Sequence, residues 1–110
     1  MANTFRNSTL KSVGAGLQNV YSVGAGVQST VIGMTIANMI PTPISASVSL
    51  SGGTITGNVF LIKDATIAPG GSLVPIGGDQ KVVLEAGDYL QVNTSVASSA
   101  DVVVSVLEIS

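Results

Sequence analysis

The sequence predicts an all-β protein, an antiparallel β-sandwich of jelly-roll type, spanning its 110 residues. Three observations predict it. Ile44, Ala46, Val48 and Leu50 alternate with Ser45, Ser47, Ser49 and Ser51, and side chains of a strand point to opposite faces with a period of two. Turn signals such as Ser51-Gly52-Gly53, Pro69-Gly70-Gly71 and Ala86-Gly87-Asp88 punctuate the chain at roughly the 8–12-residue spacing of sandwiches and barrels. No stretch between them carries the helical period.

The first expected strand, 4–13, stops at Gly14-Ala15-Gly16; residues 1–19 read as an edge strand or as a docking arm. The second, 19–23, lies between that turn and Gly24-Ala25-Gly26. In the third, 29–38, Thr30, Ile32, Met34 and Ile36 are expected to face the core, with Gly33, Thr35 and Ala37 outward. Pro41 and Pro43 precede the fourth, 44–51. The fifth, 58–67, is apolar on both faces, which suits a central strand or an interface. Short strands at 73–76 and 81–84 are set by Gly-rich turns on either side, and 89–95 follows Ala86-Gly87-Asp88. The last, 101–109, holds Val102, Val103 and Val104 in succession. Residues 12–18 recur almost unchanged at 22–28. Two copies are too few for a solenoid, so they read as two strand–turn units of similar geometry.

Composition narrows the function. Charged residues make up 9% of the chain, against about 25% in soluble domains, so much of the surface is expected to be covered in an assembly, the alternative being a surface hydrated by Ser and Thr hydroxyls. Mean hydropathy is +0.58, yet no segment approaches the ~20 unbroken apolar residues of a spanning helix. The opening Met1-Ala2-Asn3-Thr4-Phe5-Arg6 has no apolar core of a secretory leader. Arg6, Lys11, Lys63 and Lys81 are scattered and the net charge is −2, which argues against nucleic acid as a partner. Without His or Cys, the commonest general base and the thiolate nucleophile are missing, and no catalytic residue, cofactor or metal is expected. Asp79, Glu85 and Asp88 could group around a hard cation, but Asp79 and Asp88 are better read as caps of their turns. Gly-Ala-Gly turns followed by strands do not make a phosphate loop, which needs a helix N-terminus.

The wording beyond residue 20 resembles a known group. Val20-Tyr21-Ser22-Val23-Gly24-Ala25-Gly26, then Leu61-Ile62-Lys63-Asp64-Ala65-Thr66-Ile67-Ala68-Pro69-Gly70-Gly71, then Val82-Val83-Leu84-Glu85-Ala86-Gly87-Asp88 are similar to small β-sandwich virion proteins of tailed bacteriophages, marine and cyanobacterial ones included. The resemblance implies a non-enzymatic virion structural protein, made in the host cytoplasm. Capsid decoration (cement) is the leading expectation, with tail, neck or fibre as the alternative and a glycan-binding adhesion module behind both. It implies a homo-oligomer, a trimer at a local threefold site among the options, touching the major capsid protein or another virion protein. The surface expected to make these contacts is Ser45, Ser47, Ser49 and Ser51 together with Val102, Val103 and Val104. An ordinary solvated sheet face explains the serines equally well.

Overall fold

A computed structural model describes residues 3–77 and 80–110; Asp79 lies outside them. Nine strands follow in order: β1 (Asn3–Val13), β2 (Gln18–Ser22), β3 (Gln28–Asn38), β4 (Ile44–Ser51), β5 (Val59–Ile67), β6 (Ser72–Ile76), β7 (Val82–Leu84), β8 (Tyr89–Thr94) and β9 (Ala100–Ile109). One sheet runs β1-β9-β3-β6, with β7 also on β3, and the other runs β2-β8-β4-β5. Every pairing is antiparallel. The chain passes from sheet to sheet at most of its links and stays within one only at β4–β5 and β6–β7. This is the predicted sandwich, with strand ends within one residue of expectation.

The core lies between the two sheets. Val102, Val104 and Val106 of β9 with Val31, Met34 and Ile36 of β3 face Ala46 and Val48 of β4 and Leu90 and Val92 of β8, all buried. Such β-branched side chains suit a pleated surface closed from water on one side. The two near-identical Gly-Ala-Gly segments each carry the chain across the sandwich, from β1 to β2 and from β2 to β3. Their geometry differs, since Gly26 has φ +74 whereas Gly14 sits tight against Ala97 and Ser98.

Two expectations are corrected. β3 does not keep one parity: Val31 pairs Val106 and Gly33 pairs Ser105, so Ile32 is an extra residue. A bulge of this kind flips the facing of everything on one side of it. Val31 therefore enters the core, Thr30 turns outward and Ile32 is half-buried. β5, for which a central place was one of the two expectations, is the edge of the four-stranded sheet. Its outward Phe60 is covered in part by the Lys63 ammonium, 4.7 Å from the ring centroid.

Side chains close the ends. At one, Asn38 Nδ2 donates to the carbonyls of Thr42 (2.9 Å) and Ile67 (3.1 Å), holding the β3–β4 link. Nearby, the Thr94 and Ser99 hydroxyls meet at 2.7 Å beneath β1.

Candidate assembly surface

The outer face of the five-stranded sheet is built from cross-strand rows. Phe5 (β1), Leu107 (β9), Thr30 (β3) and Val83 (β7) form one row. Asn7, Ser105 and Gly33 form the next. Thr9, Val103 and Thr35 form a third, beside Val74 of β6. Ala37 stands between Asp101 and Ser72 in the last. Phe5 is 75%, Val83 67%, Val74 60% and Val103 47% exposed. Among the described strand residues of these rows the charged ones are Lys11 and Asp101, 3.9 Å apart at one margin. The result is a face of Val, Thr, Phe, Leu, Asn and small residues, four strands wide. Contiguous apolar surface of this kind marks an interaction site more often than an isolated exposed valine does.

The residues named from the sequence divide between the two sheets. Val102 and Val104 point into the core, so three successive valines offer outward only Val103, which stands in the third row above. The serine face belongs to the other sheet and is not the wet face its alternation implied. Ser47 and Ser49 are buried, and Ser45 and Ser51 are half-buried. β4 lies between β8 and β5, so its short side chains sit below longer neighbours. Ser49 is flanked by Gln91 and Phe60, and Ser47 by Asn93. Ser47 is also occupied, because its Oγ accepts from the Asp64 backbone N–H at 2.9 Å. Asp64, at φ 53, is curled over it by a bulge in β5. A bulky charge at Ser47 would therefore disturb the fold itself and not only the outer face. The rows around the serines hold Asn19, Gln91 and Asn93, with Gln91 Nε2 donating to Asn19 Oδ1 at 2.9 Å. One sheet thus presents amides and serines, the other valine and threonine. Phe5, Val74 and Val83 were missed, although Val82-Val83-Leu84 already alternates between buried and exposed positions.

Two ionisable clusters sit at the other end of the sandwich. Tyr21 (β2) donates its phenolic hydrogen bond to Glu108 (β9), with the Ser29 hydroxyl 3.0 Å away and Arg6 Nε 2.8 Å from the Glu108 carboxylate. Burial first, then the bond to Glu108, push the Tyr21 phenol up to about 12. Asp88 is buried and would be pushed up on that account. Its bonds from the Thr54 hydroxyl and the Thr54 and Glu85 backbone N–H groups outweigh burial and hold it below the usual carboxylate value. Asp88 thus caps its turn, as expected. A cleft of about 530 Å³ opens beside it, bounded by Val27, Thr54, Glu85 and Ile109 among others. Among the described residues no three His, Cys, Asp or Glu come together as a metal site. The arrangement supplies turn caps, sheet-to-sheet ties and an exposed, largely uncharged outer face.

No family model matches the chain, and no curated protein sequence matches it. Two solved structures resemble it to different degrees. A chain from Bacillus endospore appendages, described as a novel family of disulfide-linked pili, superposes with a TM-score of 0.54 at 11% identity, covering 100% of this chain and 91% of that one. A chain of infectious bursal disease virus, Gt strain, superposes at 0.43 with 12% identity, covering 98% of this chain and 35% of that one. The first likeness speaks for the fold alone; the second falls short of a shared fold.

Proposed function

We propose that this chain is a non-enzymatic structural subunit of a bacteriophage particle, of the capsid decoration kind, which stabilises the shell through contacts between its own copies and with shell protein. The observation that carries the reading is the outer face of the five-stranded sheet. It exposes valines and a phenylalanine in register across four strands, and the charged strand residues of its described rows, Lys11 and Asp101, stand at one margin. Such a face favours burial, and a subunit that binds only the assembled shell stabilises it by mass action. The 9% charge content and the resemblance to phage virion proteins support the same reading.

A tail, neck or fibre position is the second reading. The unpaired outer edges of β1 and β5 favour it, because edge-to-edge addition that does not close generates filaments. Any filament of this chain would be held without disulfides, since it has no cysteine.

Quantitative protein analysis of purified particles of the encoding phage tests both. A copy number on the scale of the shell protein supports decoration, and a far smaller one supports tail or fibre. Absence from the particle overturns the virion reading.

A further inference from the structure

We propose that the outer face of the five-stranded sheet is the seat of a second copy of this chain, packed face to face about a twofold axis running along the strands. The inference rests on the assembly reading above and narrows it to one partner and one geometry.

Area is the first argument. Four strands about 4.8 Å apart, over the roughly 27 Å between the Asn3 and Lys11 positions of β1, make a platform of about 500 Å². Two such platforms bury about 1,000 Å² in total, the threshold for a specific pair. A sheet face suits another sheet, since sheets pack with their strands within about 30° of parallel.

Complementarity is the second. A twofold axis along the strands reverses strand order in the partner while keeping each row over its own kind. Phe5, at the β1 end of its row, then lies over the partner's Val83, at the β7 end, and the reverse contact repeats it. Val103 meets the partner's Thr35. At the charged margin Lys11 falls over the partner's Ser72 and Asp101 over the partner's Ala37. Among the described strand residues of these rows no like charges are brought together. The other sheet suits a like partner less, because its outer face holds amides and buried serines, and its Phe60 is partly covered by Lys63.

The test uses the full chain. Light scattering across a dilution series up to about 1 mM should show a dimer. Val103→Glu, and independently Val74→Glu, should weaken it about a hundredfold or more, because a carboxylate would be buried without a counter-ion. Both sites are exposed in the single chain, so thermal midpoints should stay close to wild type, and two variants guard against one failing to fold. Geometry is read by cysteine pairing in this cysteine-free chain. Phe5 and Val83 of one copy are three strands, about 14 Å, apart, beyond disulfide reach. Facing sheets lie about 10 Å apart, also beyond a direct disulfide, so a bifunctional thiol reagent of about 10 Å reach should join Phe5→Cys/Val83→Cys between copies but not Phe5→Cys alone. A chain that stays monomeric throughout, a dimer indifferent to both glutamates, or efficient cross-linking by Phe5→Cys alone overturns the proposal. A monomer still abundant in purified particles would sink this dimer and leave the virion reading standing; a dimer absent from particles would do the opposite.

Discussion

Tyr21 and Glu108 tie the two sheets together: the phenol of β2 donates to the carboxylate of β9 across the open end of the sandwich. Arg6 of the edge strand β1 completes the chain of contacts, its Nε 2.8 Å from Glu108. An edge strand that pairs only with β9 is in this way anchored to the opposite sheet through side chains.

Alkaline stability should report that tie. The Tyr21 phenol ionises at about 12 in the folded chain, against 10.0 when free. Between those values the unfolded chain has lost a proton that the folded chain keeps, so stability falls as pH rises. Below 10.0 the contribution is fully present. Urea unfolding across this range should show the decline in wild type and a smaller one in Tyr21→Phe. At neutral pH that substitution should cost about 1–3 kcal/mol, since it removes a hydrogen bond to a charged group.

Asp88 predicts the acid side. Its carboxyl is held below the usual value of 3.8. Stability from this group is therefore complete above 3.8 and lost as pH falls through the lower folded value. Asp88→Asn turns an amide donor toward donors on Thr54 and Glu85. It should cost on the order of 2 kcal/mol or more in denaturant unfolding and flatten the acid limb of the pH profile.

Gly52 is fixed by the same corner. At φ +137, a Cβ there would lie 2.4 Å from Asp88 Cα and 2.5 Å from the Gly87 carbonyl oxygen. Both obstacles are backbone and cannot step aside. Gly52→Ala should destabilise by more than the ~1 kcal/mol of an ordinary glycine exchange. Gly16→Ala, with nothing within 4 Å of the added carbon, should leave the thermal midpoint close to wild type.

The two buried serines of β4 should behave differently. Ser47 Oγ accepts the Asp64 N–H at the β5 bulge, so Ser47→Ala strands that donor and should cost about 1–2 kcal/mol. Ser49 makes no protein hydrogen bond with its hydroxyl. Ser49→Ala should change stability by no more than about 0.5 kcal/mol. Equal losses in the two variants, measured by urea unfolding, would show that the Asp64 contact is not what holds the bulge.

Nine strands were legible in the chain because turn glycines, prolines and β-branched runs act over a few residues, and such preferences survive in any tertiary setting. The valine run at 102–104 was legible as unusual for the same reason. Which strands became neighbours was not, and everything about the candidate surface followed from that. The extra residue Ile32 reversed the facing of Thr30 and Val31, a slip visible only against the register of β9. Ser49 was taken out of water by Gln91 and Phe60, residues far from it in sequence. Phe5, Leu107, Thr30 and Val83 form one row although they come from four separate strands. Alternation along a strand assigns side chains to two faces; only the strands packed beside it and across from it decide which face is dry.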